Sequence, residues 1–130
     1  MLVAVLDVGS NTVRLLVAEV GRNGSLETVK SDKAYLGLGA EIACTGSLAA
    51  ESVAGAANVC RRFAERARAE GSERAEVIVT APGRQGGATA TLVAALRGAT
   101  RLPVRVLTAD DEGRLAFDGA VARVSALPVS

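Results

Sequence analysis

The chain has 130 residues and a formal net charge of +1; 49% of its residues are hydrophobic, but only 2% are aromatic and none is histidine. This length is enough for one domain, which buries about two-thirds of its unfolded surface, and the core must come mainly from Val, Leu, Ile and Ala. The small net charge gives no general attraction to nucleic acid or acidic membranes. The lack of histidine excludes histidine-based acid–base catalysis and histidine-ligated metals.

Eight elements are predicted in the order βββαβαβα. Strands are predicted at residues 2–6, about 13–20, roughly 26–34, 75–80 and 104–107, and helices from Ser47 or Ala50 to about Glu70, near 88–97, and from 108–111 onward. The first strand is apolar without interruption, which is typical of a strand buried on both faces. Asn23 and Gly24 give a strong hairpin signal, and strands that alternate with helices indicate parallel pairing. We therefore predict an α/β fold with a mixed five-stranded sheet.

The long central helix is predicted to be amphipathic. Its apolar stripe, with spacings of three and four residues, consists of Val53, Ala56, Cys60, Phe63 and Ala67. The arginines mostly lie off this stripe, which favours a solvated face on which Arg61 pairs with Glu65. Residues 35–39 before this helix are predicted to form a flexible loop. They do not begin a dinucleotide-binding fingerprint, because Ile42 stands in the place of its third glycine.

The cysteines and the start of the chain favour a cytoplasmic protein. Cys60 falls on the apolar stripe, and Cys44 lies in a predicted Gly/Thr loop with no histidine to activate it. Met1 leads directly into a strand with no basic signal region before it, and no apolar run could span a bilayer. We expect a reducing, cytoplasmic setting, with neither nucleic acid nor membrane as a partner.

A polar turn directly follows the first strand and is the first candidate site. Asp7 ends that strand, and Gly9, Ser10, Asn11 and Thr12 follow within five residues. Gly9 permits close backbone approach, and the following side chains add hydrogen-bond donors suited to phosphate oxygens. Asp7 can hold a hydrated Mg²⁺ that bridges to phosphate. The alternative is a hairpin turn made of ordinary turn residues.

Two further segments could carry chemistry. Arg84 lies in a Gly-rich loop between a strand and a helix, where helix N–H groups and a guanidinium favour anions; the alternative is a surface arginine. Asp110 and Asp111 are predicted in the first turn of the last helix, where carboxylates stabilise the helix dipole. Glu112 is predicted at the edge of that helix's apolar side, where it could act as a general base.

These motifs together resemble the exopolyphosphatase / guanosine pentaphosphate phosphohydrolase (Ppx/GppA phosphatase) family. Residues 6–15 look like its first phosphate loop, residues 79–84 resemble its Ala-Thr-Ser-Ala-X-Arg segment, and residues 112–115 look like its Glu-Ala/Gly-Arg-Leu motif. The resemblance implies a ribonuclease H-like lobe of the actin, Hsp70 and sugar-kinase superfamily. It further implies hydrolysis of polyphosphate or of a guanosine nucleotide. In that reaction Asp7 would hold Mg²⁺, residues 9–12 and Arg84 would bind phosphate, and Glu112 would act as the base.

The sequence departs from the family pattern in three places. Leu38 stands where the family usually has glutamate, Ala88 stands near the place of an asparagine, and no second phosphate loop follows the last predicted helix. We therefore expect residues 1–130 to be one N-terminal lobe whose C-terminal lobe is missing, with substrate bound between lobes. A non-catalytic phosphate- or nucleotide-binding sensor module is the alternative. Oligomeric state stays open, a homodimer of the full-length protein being one option.

Overall fold

A computed structural model describes residues 1–46, 48–80 and 86–107 of the chain. In chain order the elements are β1 (Leu2–Val8), β2 (Thr12–Val20), β3 (Leu26–Tyr35), α1 (Leu38–Thr45), α2 (Ala50–Ala69), β4 (Arg74–Val79), α3 (Gly86–Thr100) and β5 (Val104–Val106). The predicted final helix and Ala81–Arg84 lie outside the described residues.

The five strands form one mixed sheet in the order β3-β2-β1-β4-β5. β1 pairs antiparallel with β2 and parallel with β4; β2–β3 is antiparallel and β4–β5 is parallel. The tight turn at Asn23 and Gly24 joins β2 to β3, with Gly24 at φ 81°. The predicted α/β class and mixed five-stranded sheet are confirmed.

β1 occupies the centre of the sheet because both of its faces are apolar. Val3, Ala4, Val5, Leu6 and Val8 are all 0% exposed. Ala4, Leu6 and Val8 belong to the core that α2 and α3 share, whereas Val3 and Val5 join a smaller cluster on the other face. The polar turn therefore follows a strand that is packed on both faces at the centre of the sheet.

Helix α2 packs its predicted stripe on the sheet. All five predicted residues are buried, and Val59 and Ala64 are buried with them. The helix ends with Gly71 at φ 93°, whose N–H donates to the Arg68 carbonyl at 3.0 Å. The predicted Arg61–Glu65 pairing is wrong: Arg61 Nη2 donates to Asn58 Oδ1 at 3.0 Å instead, a neutral acceptor one turn earlier on the same face.

Helix α1 was not predicted, and it replaces part of the expected loop at residues 35–39. Its first residue, Leu38, is 1% exposed and belongs to the core. Glu41 Oε1 accepts the Ala49 N–H at 2.7 Å, next to the start of α2, whose N-cap residue Ala49 makes no side-chain cap hydrogen bond. Hydrogen bonds from the Ser52 hydroxyl and then from Ala49 lower the pKa of Glu41. The short helix therefore exists because it fills the core and caps α2.

The boundaries of α3 also differ from the prediction. It begins at Gly86 and ends at Thr100, longer at both ends than the predicted 88–97. Leu92 and Leu96 are 0% exposed and hold it against the core. Within the described ranges, no helix has both the length and the apolar character needed to cross a membrane.

The two cysteines lie in contrasting environments, and we expect them to react very differently. Both are free thiols, Cys44 exposed on α1 and Cys60 buried in α2. Burial raises the pKa of Cys60 from 9.0 to about 12, so its reactive thiolate at pH 8 falls by roughly a thousandfold. Labelling with iodoacetamide followed by mass spectrometry should modify Cys44 first and Cys60 only after unfolding. Equal labelling of both in the native protein would contradict this packing.

Candidate functional site

The candidate site lies at the edge of the sheet where the parallel strands β1 and β4 have their carboxyl ends. Asp7 pairs with Ile78 and Val8 with Val79 in the register between these strands. The polar turn that follows Val8 and the residue Thr80, which follows β4, therefore lie at the same edge of the sheet. In open α/β sheets this edge is where ligands bind.

Asp7 and Thr80 meet at this edge. Thr80 Oγ1 lies 3.2 Å from Asp7 Oδ1 and 3.4 Å from the Val8 carbonyl oxygen, and the carboxylate is the closer and the charged acceptor. The Thr80 N–H donates to that Val8 carbonyl at 3.0 Å. Thr80 is only 8% exposed. Two strands thus fix the position of one side of the Asp7 carboxylate.

The sequence alone indicates no role for Thr80, although residues 79–84 resemble a segment of the family. Its contact with Asp7 spans 73 residues of chain, so local pattern could not show it. The available signal was the parallel pairing of two apolar strands that each end in a polar residue. Such pairing brings the two polar ends to the same edge.

The turn at residues 9–12 is closed by the Gly9 N–H, which donates to the Thr12 carbonyl at 2.9 Å. Ser10 and Asn11 are exposed, so their side chains face solvent. A Cβ on Gly9 would lie 3.4 Å from the Thr12 carbonyl oxygen and 3.6 Å from Thr80 Oγ1, which are ordinary contacts. Packing within the chain does not require glycine here, which fits a residue chosen for the approach of a ligand.

The segment after β3 braces this turn from the other side. The N–H groups of Leu36 and Gly37 donate to the Asn11 carbonyl at 2.8 and 3.2 Å. Gly37 has φ 66°, a left-handed conformation that glycine adopts without strain. With its backbone held by these two donors, Asn11 presents its side chain from a fixed position.

The predicted magnesium site consists of a single protein carboxylate in the described part of the chain. No three Asp, Glu or Cys side chains among those residues are grouped so that they could hold a metal ion. Mg²⁺ commonly keeps several waters and takes only one or two carboxylates plus substrate phosphates. Asp7, oriented by Thr80 and beside the turn at residues 9–12, fits that kind of ligand.

The two remaining predicted site residues, Arg84 and Glu112, lie outside the described residues, as do Asp110 and Asp111. Helix α3 begins at Gly86, six residues beyond Thr80. The described residues therefore bring together Asp7 and the turn at residues 9–12, and add Thr80. The roles predicted for Arg84 and Glu112 stay predictions.

Comparison with known proteins identifies the family. A model of the Ppx/GppA phosphatase family matches residues 16–128. Exopolyphosphatase 2 of Mycobacterium tuberculosis is 31% identical over 130 aligned residues; the match covers 92% of this chain and 40% of that protein. Exopolyphosphatase 1 of Mycobacterium leprae is 31% identical over 117 residues, covering 90% of this chain and 34% of that protein. The chain thus spans about two-fifths or less of the length of these relatives.

Solved structures agree on the fold. The crystal structure of the Aquifex aeolicus member of the Ppx/GppA family superposes with a TM-score of 0.79 at 26% identity, covering 90% of this chain and 38% of that one. An exopolyphosphatase from Cytophaga hutchinsonii shares the fold with a TM-score of 0.77 at 20% identity, covering 86% of this chain and 36% of its own. Since the family model spans most of the sequence and the sheet agrees with that of a solved member, this chain belongs to the Ppx/GppA phosphatase family.

Proposed function

We propose that the chain is the N-terminal lobe of a hydrolase that releases terminal phosphate from inorganic polyphosphate. The observation that carries the proposal is the Asp7/Thr80 pair beside the turn at residues 9–12, at the carboxyl edge of β1 and β4. The names of the relatives support the choice of polyphosphate over guanosine pentaphosphate, which is the second substrate to test.

The described residues would bind and orient the phosphate chain. The exposed Ser10 and Asn11 side chains can donate to phosphate oxygens, and Gly9 lets the backbone approach them. Asp7, oriented by Thr80, would hold Mg²⁺, which when bound neutralises charge on the phosphate oxygens. Phosphoryl transfer depends mostly on such positioning and charge stabilisation.

Two residues complete the proposal on the strength of the family resemblance. Arg84 would add a guanidinium fork to the phosphate oxygens. Glu112 would take the proton from the attacking water. A cytoplasmic location is also part of the proposal, supported by the two free cysteines.

A non-catalytic binding module is the second candidate, and one observation favours it. Leu38 stands in place of a family glutamate, and its side chain is 1% exposed in the core at the start of α1. A charged side chain of the family loop is therefore replaced by an apolar one that packs in the core, while the contact between Asp7 and Thr80 is present.

The deciding experiment compares this chain with a protein that also carries the second lobe. We expect no useful phosphate release by the 130-residue chain, because one open edge cannot hold a phosphate chain in line or exclude water. We expect turnover of polyphosphate by the two-lobe protein, measured as Mg²⁺-dependent phosphate release. Turnover by the single lobe would contradict the two-lobe proposal, and binding without turnover by both would favour the sensor module.

A further inference from the structure

An open groove of about 560 Å³ lies between α2 and the end of α3, away from the candidate site. It is lined by Arg61, Glu65 and Arg68 of α2 and by Gly98, Ala99, Thr100 and Arg101 at the end of α3. α3 starts after the carboxyl end of β4 and runs for 15 residues, about 22 Å at the usual rise. The groove is therefore at the C-terminal end of α3, and the N-terminal end of this helix is the one that is closer in sequence to Thr80.

The groove has an excess of positive charge. Three arginines and one glutamate line it, so the formal sum is +2. None of the ion pairs found within the described residues includes Arg61, Arg68 or Arg101. Arg61 donates to the Asn58 amide oxygen, and Arg68 donates to the Thr100 carbonyl at 2.6 Å. Both acceptors are neutral, so the guanidinium charges remain uncompensated by these contacts.

Arg101 is held in an unusual backbone conformation at the groove. Its φ is 58°, and it is the single non-glycine residue with positive φ among those described. Its N–H donates to the Arg97 carbonyl at 2.9 Å, which closes the end of α3. The glycines that follow α1 and α2, Gly46 and Gly71, have φ 78° and 93°. Glycine suits this conformation far better than a residue with a Cβ.

The charge of Arg101 is not needed to close the helix. A cation near a helix C-terminus stabilises the dipole, but Arg68 already donates to the last carbonyl of α3. An arginine in a strained conformation, where two other helices have glycine, therefore points to a use for its side chain. That side chain is exposed and lines the groove.

We propose that this groove is a second, non-catalytic binding site for anions with several phosphates, inorganic polyphosphate among them. Guanidinium groups match phosphate oxygens in geometry and form charge-assisted hydrogen bonds with them. Arg61 and Arg101 would contact the ligand from opposite walls, and Arg68 would supply its charge while it keeps its bond to Thr100. The proposal stands apart from hydrolysis, because it concerns binding at the far end of the lobe.

The test measures binding of long-chain polyphosphate and of pyrophosphate to the 130-residue chain, by calorimetry and by amide chemical shifts. The informative variant is Arg101→Gly, with Arg61→Ala as a second. Arg62→Ala is the matched control for Arg61→Ala, since Arg62 is also an exposed arginine of α2 but does not line the groove.

We expect Arg101→Gly to raise Tm by about 2–6 °C, because backbone strain is relieved, and yet to weaken polyphosphate binding at the groove up to about fivefold, the usual scale for one exposed charge pair. The slope of log Kd against the logarithm of the salt concentration should also be smaller by about 0.7–0.9 in this variant. Arg61→Ala should weaken the same binding, and Arg62→Ala should not. Amides of residues 98–102 should shift with either ligand.

Three results would overturn the proposal. One is binding that is unchanged in Arg101→Gly and Arg61→Ala. Another is an equal loss in Arg62→Ala, which would mean diffuse attraction to a polyanion. The third is ligand-induced shifts confined to residues 9–12, which would support the candidate site and refute the groove. Shifts at residues 98–102 alone would support the groove and contradict phosphate binding at residues 9–12. The experiment therefore distinguishes failure of the groove proposal from failure of the proposed function.

Discussion

Replacing Asp7 by asparagine is expected to lower Mg²⁺-dependent turnover of the two-lobe enzyme by at least about 10². Loss of residues that only support a metal ligand typically costs 10–100-fold in metal affinity or activity, and Asp7 is the proposed ligand itself. The change keeps the size of the side chain. It also keeps an oxygen that can accept a hydrogen bond from Thr80 Oγ1, which lies 3.2 Å from Asp7 Oδ1 in the structure. The expected defect is therefore in metal and phosphate binding, with little change in Tm.

Thr80 provides a graded version of the same test. Thr80→Val keeps the shape of the side chain but removes the hydroxyl that contacts Asp7 and Val8, and it should weaken Mn²⁺ binding in the presence of pyrophosphate by about 10–100-fold. Thr80→Ser keeps the hydroxyl and should restore most of the affinity. Mn²⁺ binding to the 130-residue chain can be followed by electron paramagnetic resonance, which requires no turnover.

The matched control for Asp7 is Asp32→Asn. Asp32 is a carboxylate of β3 that pairs with Arg66 on the exposed surface, and loss of an exposed pair costs only about 0–1 kcal/mol of stability. Metal binding and turnover should be unchanged in this variant. If Asp7→Asn and Asp32→Asn behave alike, Asp7 has no special role at the site.

The sheet could be predicted because its signals are local. The uninterrupted apolar run in β1 indicates burial on both faces, and all but its terminal leucine and Asp7 are buried. The Asn23–Gly24 turn identifies the first hairpin. The alternation of strands and helices indicated parallel pairing in general, and the structure shows that β1 pairs with β4 and β4 with β5. The local signals therefore predict the kind of sheet, whereas the structure is needed to show which strand ends share an edge.

Helix α1 could not be predicted, because its stability is not local. It has only eight residues, with Gly39 near its start and Gly46 directly after it, and isolated helices this short are marginal in water. What holds it is the burial of Leu38 and the contact of Glu41 with the start of α2. Both depend on parts of the chain that a reading of residues 35–46 alone does not contain.

The difference between local and long-range contacts also explains which residues of the candidate site could be predicted. Asp7 and the turn at residues 9–12 are contiguous in sequence, so their composition showed a phosphate-binding pattern. Thr80 approaches Asp7 only through the parallel register of β1 and β4. Arg61 likewise has Glu65 and Asn58 within one helical turn, and only the structure shows that it bonds Asn58.

Glu112→Gln is expected to lower the kcat of the two-lobe enzyme by about 10²–10⁴, the usual contribution of a general base. An amide retains the size of the carboxylate but cannot take a proton from water at neutral pH. Since the phosphate ligands would be untouched, KM for polyphosphate should change little. A defect of this kind, in kcat with KM kept, is the signature of an interaction made in the transition state.

The control for this last experiment is the neighbouring Asp111→Asn. Asp110 and Asp111 are predicted to stabilise the dipole of the last predicted helix, an effect of about 0.3–1 kcal/mol, so Asp111→Asn should lower Tm slightly and leave kcat intact. Initial rates of phosphate release across a range of polyphosphate concentrations separate kcat from KM for each variant. An unchanged kcat in Glu112→Gln would remove Glu112 from the mechanism. A loss shared equally with Asp111→Asn would show that the reaction needs the acidic segment as a whole and not Glu112 as a base.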